Sequence, residues 1–213
     1  MKNLPALKLN DKRYVFSLYS LILFILGAPL LILGVYFFLD WKVNAWLKEV
    51  VAKQSGFFLS FFFNLDSKVI AENNKAEEWI IVLPKVDLTY VISTWCTAAH
   101  VFSIILGFIM FTPHSRDPHT SQDIVWRKTI ASVLLISIIH IANIVRIGVV
   151  IYLTSLGFDG VIVHGSINYI TGILAALLFV LVVYKWVPEF FIALYYFYVL
   201  YLVKKEKKKI RLE

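Results

Sequence analysis

The chain has 213 residues, of which 60% are hydrophobic and only 16% charged, and its mean hydropathy is +0.76. A water-soluble domain carries about 45–50% apolar and about 25% charged residues, so this composition excludes an ordinary soluble enzyme or binding module and predicts an integral membrane protein. The net charge of +7 is gathered near the ends. Six of the 21 basic residues lie between Lys204 and Arg211, and Lys2, Lys8, Lys12 and Arg13 precede the first apolar run. Basic clusters flanking apolar segments are held in the cytoplasm beside anionic lipid, so the charge reads as topology, with no nucleic-acid partner expected. One cysteine excludes an intrachain disulfide and a multi-cysteine zinc site.

Residues 1–13 form a cytoplasmic basic arm. The apolar run 14–39 is about 39 Å long as a helix at ~1.5 Å per residue, more than the ~30 Å hydrocarbon core, and is predicted to span. It exceeds the roughly 7–15-residue core of a signal peptide, and 36–41 offers no small-residue cleavage site, so it is expected to stay as an anchor. Residues 40–90 form an extracytoplasmic insertion. Within it, 41–51 suits an amphipathic interfacial helix, 56–63 is too short to span and dips into the interface, and the β-prone runs 68–71 and 79–84 about a polar turn at 72–75 suggest a small hairpin.

The second predicted span, 91–112, runs inward. A short cytoplasmic loop beginning at Pro113 ends in Arg127 and Lys128, and the third span, 129–153, returns outward. An outer loop, 154–163, carries one charge, Asp159. His164 opens the fourth span, 165–187. The apolar piece 190–203 follows Pro188-Glu189; as a further span it would leave the basic tail 204–213 outside, so it is predicted to be an interfacial or extending helix on the cytoplasmic side. The expected fold class is an all-α multi-spanning membrane protein: a single domain over 1–213 with about four transmembrane helices and both termini cytoplasmic.

This topology, drawn from charge and length, places Cys96, Arg146 and His164 in the outer part of the membrane. A lone cysteine in an apolar helix is commonly a small buried hydrophobe; a neighbouring cation would instead raise its thiolate fraction. Arg146 lies about 10 Å from the outer end of its span at ~1.5 Å per residue, at the edge of what a snorkelling side chain covers, so a polar interior partner is expected. Asn143 and His140 lie three and six residues before it on one helix face. His164 is either solvated at the interface or an acid–base group working near neutral pH. His100, one turn below Cys96, could pair with the thiol, ligate a metal or bond to a neighbouring helix.

Cys96-Thr97-Ala98 at the outer start of one helix, Asn143-Ile144-Val145-Arg146 in the next and His164 opening the one after resemble, in order, spacing and membrane side, the archaeosortase/exosortase family of membrane transpeptidases. The similarity covers roughly residues 82–173. It implies Cys96 as nucleophile, Arg146 as transition-state stabiliser and His164 as general acid/base, with Asn143, Thr97 and His100 in supporting places. It also implies no cofactor, and substrates that are surface-protein precursors ending in a short signature, a transmembrane helix and a basic cluster. The acceptor would be an amine or hydroxyl, a lipid among the candidates, and the site would face outward from the cytoplasmic membrane. Many members have about twice as many spans, so this would be a short form. Alanine stands at 98, where glycine is frequent. His100 is outside the shared triad.

Other readings compete with this one. A small transporter or channel subunit would line a polar path with Arg146, Asn143 and His140 and would not need Cys96. A metalloenzyme would use Cys96, His100 and a further histidine, although the chain has no HExxH motif. A scaffold would leave the buried Arg146 without explanation.

Overall fold

The structure is a computed structural model that describes residues 6–9, 12–71 and 78–210, without the side chains of 202–210. Those residues are mostly helical. In chain order the elements are β1 (Leu7–Leu9), β2 (Lys12–Tyr14), α1 (Leu18–Asp40), α2 (Trp46–Phe63), β3 (Lys68–Ala71), β4 (Trp79–Leu83), β5 (Leu88–Ile92), a 3-10 turn at Thr94–Thr97, α3 (Ala99–Phe111), α4 (Pro118–Ser121), α5 (Ile124–Ser155), α6 (Gly160–Trp186) and α7 (Glu189–Ile210). Three helical stretches among them, Leu18–Asp40, Pro118–Ser155 and Gly160–Trp186, are long and apolar enough to cross a membrane.

Several boundaries differ from the sequence expectation, each for a local reason. The predicted span 91–112 is not one helix. Leu88-Thr89-Tyr90-Val91-Ile92 is rich in β-branched and aromatic side chains, and it pairs antiparallel with β4 over Trp79↔Ile92 to Leu83↔Leu88. The 3-10 turn follows, Ala98 takes a left-handed φ of 58°, and only then does the 13-residue α3 begin. Cys96 therefore sits in a turn rather than in a helix. β3 pairs antiparallel with β4, giving the sheet order β3-β4-β5; the turn expected at 72–75 falls outside the described residues.

The separate pieces expected at 41–51 and 56–63 join from Trp46 onward in α2, preceded by a 3-10 turn at Lys42–Asn44, and Gly56 leaves room for Val69 and Ser67 against the helix. α6 begins before His164, since the Asp159 carboxylate accepts the Val161 and Ile162 N–H groups at 2.8 and 3.1 Å and caps the helix there. The Lys-rich stretch after 203 continues α7 to Ile210, as good helix formers allow. Part of the basic arm is the antiparallel pair β1–β2.

The chain divides into two compact units. Unit 1 comprises Met1–Ile32, Ile105–Val133 and Val180–Glu213, and unit 2 comprises Leu33–Ile104 and Leu134–Phe179. Helices α1, α3, α5 and α6 each contribute one part to either unit.

Unit 1 has a core of Tyr14, Phe16, Leu21, Ile192, Ala193 and Tyr196, with Phe16 edge-on to Tyr196 at 5.5 Å and an aromatic triangle of Phe24, Phe108 and Phe190. Gly107 lets α1 and α3 approach closely. A Cβ there would stand 2.9 Å from the Ala28 carbonyl oxygen and closer still to Ile32. Gly107→Ala is expected to cost about 1–3 kcal/mol, as overpacking does, read as a lowered midpoint in thermal unfolding of the detergent-solubilised chain.

In unit 2 the sheet packs on α2, and the core gathers Val51, Ala52, Leu59, Ile81, Ile92 and Cys96 with Ile147 and Ile151 of α5. Phe63 stacks on Tyr152 with ring centroids 4.0 Å apart. Through this core the sheet fixes the turn that carries the thiol.

Candidate active site

A cavity of about 590 Å³ lies within unit 2, and Cys96, Asn143, Arg146, His164, Asn168 and His100 all reach its wall. The polar end contains these groups. Beyond them the wall is apolar, with Ile138, Leu174 and Leu178 and the small residues Ala142, Gly172 and Ala175.

The Cys96 turn is stapled from within. The Cys96 N–H donates to the Ser93 carbonyl at 2.9 Å, and the Thr97 hydroxyl donates to the Thr94 carbonyl at 2.6 Å. Thr97 is thus a brace of the turn and does not line the cavity. Cys96 is 6% exposed. Its sulfur lies 3.5 Å from the Ser93 hydroxyl, and its carbonyl accepts a 2.6 Å hydrogen bond from the Asn143 amide. Asn143 is buried, so this bond both satisfies the amide and ties the turn to α5.

Ala98 ends the turn at φ 58°, in a region where an L-residue pays roughly 1–2 kcal/mol and glycine pays little. That geometry explains why glycine suits this position. Ala98→Gly is expected to insert normally and to be as stable as the parent or more stable, by up to about 1 kcal/mol, since relief of strain outweighs the loss of one methyl. Ala98→Val should lower the unfolding midpoint in the same assay, because a β-branched side chain resists this φ.

Arg146 donates from Nη1 to the Asn168 Oδ1 at 2.7 Å. The Asn168 Nδ2 in turn lies 3.1 Å from His164 Nδ1 and 3.4 Å from Nε2. A guanidinium only donates, so the amide must turn its oxygen to Arg146 and its N–H₂ to the imidazole. The imidazole then accepts that bond at a ring nitrogen. One turn of α6 separates His164 from Asn168, which gives the guanidinium–amide–imidazole relay a rigid base. The arrangement places a thiol, a cation and an imidazole on one cavity without any carboxylate among its lining residues.

Of the two further histidine candidates, one falls elsewhere and one lies on the wall. His140 is hydrogen-bonded to Gln54 of α2 at 2.7 Å and is absent from the cavity wall, so the polar stripe His140, Asn143, Arg146 divides: the last two residues face the cavity and the first does not. His100 lies on the wall with its ring 5.3 Å from that of Trp95, and its buried Nδ1 has no hydrogen-bond partner among the described residues. Those residues hold no group of three or more His, Cys, Asp or Glu suited to a metal ion.

Sequence reasoning did not single out Ser93, Tyr90 or Asn168. Asn168 was open to detection, as a polar residue four positions after His164 in an apolar helix. Tyr90 was hidden in a segment whose strand structure was not expected up to Ile92. Burial pushes its phenol up, the Cys96 sulfur adds to this by charge and as hydrogen-bond partner, and Arg146 pulls it the other way. Tyr90 therefore stays a donor beside the thiol. No protein-family model, curated protein or solved structure matches the chain.

Proposed function

We propose that the chain is a membrane-embedded cysteine transpeptidase of the archaeosortase/exosortase type, cutting the C-terminal sorting signal of surface-protein precursors and passing them to an amine or hydroxyl acceptor. The observation that carries this reading is that Cys96, Arg146 and His164, from three separate elements, line one cavity, with Asn168 joining the guanidinium to the imidazole.

The chemistry runs as thiol acyl transfer. His164 takes the Cys96 proton, giving up its bond from Asn168 as it becomes an imidazolium. The thiolate attacks the scissile carbonyl carbon, and the C=O electron pair moves to oxygen. Arg146 makes a single hydrogen bond among the described residues, so further guanidinium N–H groups remain to hold the oxyanion in a low-dielectric cavity. On collapse the C–N bond breaks, the imidazolium proton goes to the departing amine and a thioester remains on Cys96. The acceptor attacks it, His164 takes the acceptor's proton, and the thiol is restored. Water in that place gives hydrolysis.

We place the site toward the outer face of the cytoplasmic membrane, with both termini inside. Two observations favour this. With α1, 94–111, α5 and α6 as crossings, Lys2, Lys8, Lys12 and Arg13 before α1, Arg116, Arg127 and Lys128 between 111 and 129, and the six basic residues of 204–211 all fall on one side, the side that the positive-inside rule keeps in the cytoplasm. The stretch 94–111, not long enough as α3 alone, reaches about 28 Å when ~2.0 Å per residue of 3-10 turn is added to ~1.5 Å per residue of α3, close to the ~30 Å core. We read it as the fourth crossing, with the thiol at its outer end.

The test is capture of the intermediate. Incubating the full chain in detergent with a tail-bearing precursor should give an adduct on Cys96, seen by intact mass and released by hydroxylamine. Processing without an adduct, or unchanged after the thiol is alkylated, would sink the proposal.

A further inference from the structure

We infer that a second cavity, wholly within unit 1, binds a phosphate group, and that its natural occupant is the headgroup of an anionic phospholipid. This site is independent of the proposed catalysis. The cavity, about 400 Å³, is walled by Lys12 of β2, His119 and Thr120 of α4, Arg127 of α5, and Lys185 and Glu189 where α6 passes to α7.

Its charges are unequally committed. Glu189 is 1% exposed, and both of its oxygens accept from Arg127, at 2.6 and 3.2 Å. The same guanidinium donates to the carbonyls of Trp186 and Thr120, so Arg127 and Glu189 neutralise each other. Lys12 and Lys185 make no ion pair with any described residue; Lys185 only rests near the Trp186 ring, 6.0 Å from its centroid. Asp123 also lines the cavity. Two lysines against this one aspartate leave a single positive charge, which suits a phosphodiester monoanion.

The surroundings select the lipid over free phosphate. Lys185 is the second-last residue of α6, a helix apolar enough to span. Its ammonium therefore stands where hydrocarbon ends and phosphates begin. Trp126, 65% exposed, also lines the cavity. Leu181 and Tyr184 lie exposed on α6 just before Lys185, offering acyl chains an apolar track beside the charge. Tryptophan and tyrosine at this level are typical of the interface.

The experiment is native mass spectrometry of the full chain in detergent with equimolar phosphatidylglycerol and phosphatidylcholine. The parent should retain phosphatidylglycerol over phosphatidylcholine by at least about tenfold, and Lys12→Gln with Lys185→Gln should lose that preference, at roughly fivefold per lysine. Lys68→Gln with Lys85→Gln, in unit 2, should keep it. An unchanged unfolding midpoint of the first double variant in phosphatidylcholine micelles separates lost binding from lost fold. If millimolar inorganic phosphate displaces the lipid completely, the phosphate site stands and its source is soluble. Equal retention of the two lipids, or a double variant that holds phosphatidylglycerol like the parent, would overturn the inference.

Discussion

Cys96→Ala should abolish processing of a tail-bearing surface protein co-expressed with it, and Cys96→Ser should lower it by more than about 10³-fold. An unactivated hydroxyl is a far weaker nucleophile than a thiol with thiolate character. Both variants should still insert, because the side chain is a small member of the unit 2 core and the turn is braced by backbone, Thr97 and Asn143 bonds that do not involve the sulfur. The readout is the substrate's mass and its retention of the C-terminal helix. Arg146→Lys should cost about 10²–10³-fold, the scale of losing one oxyanion donor. Lysine keeps the charge but has no planar fork to hold both Asn168 and a developing oxyanion. Continued processing in both Cys96 variants would make the cysteine a packing residue and bring the transporter reading forward.

The second large effect concerns stability. Glu189→Ala and Arg127→Met should each lower folding stability by about 3–5 kcal/mol, because either change leaves a buried or half-buried ion without its counter-charge. Arg127→Met should be the worse of the two, since the carbonyls of Trp186 and Thr120 lose their donor as well. Combining Glu189→Ala with Arg127→Met should cost clearly less than the two single losses added, as expected of residues in contact. Thermal unfolding in detergent, followed by circular dichroism, reads all three. Simple additivity would mean that the pair contributes little to holding α5 and α7 together.

Composition and the length of apolar runs made α1, α5 and α6 legible as helices long and apolar enough to cross a membrane. The ends of those helices were less so. Capping is a matter of single side chains, and Asp159 starting α6 ahead of His164 is one hydrogen-bonding carboxylate in a loop. The 91–112 run misled because hydropathy does not distinguish a buried strand and turn from a helix. β5 pairs with β4 across a short hairpin turn after Leu83, and it is this pairing, not hydropathy, that makes 88–92 a strand. For the site, Cys96, Arg146 and His164 were visible as polar or reactive residues in apolar surroundings. Asn168 was missed although it obeys the same logic, while the diversion of His140 to Gln54 depended on the placement of α2, which no local pattern encodes.

The bond from Asn143 to the Cys96 carbonyl joins positions 47 residues apart, and it bears on how such a chain is made. At ~5–20 residues per second the ribosome delivers Asn143 several seconds after Cys96, and Asn168 later again. Until α5 has been made, the cysteine turn lacks its tether; until α6 has been made, Arg146 has neither His164 nor the amide that links them. If Cys96 is the proposed nucleophile, a nascent chain carries its thiol before the residues proposed to activate it have been joined, and the proposed reactivity would arise only once α6 has been made.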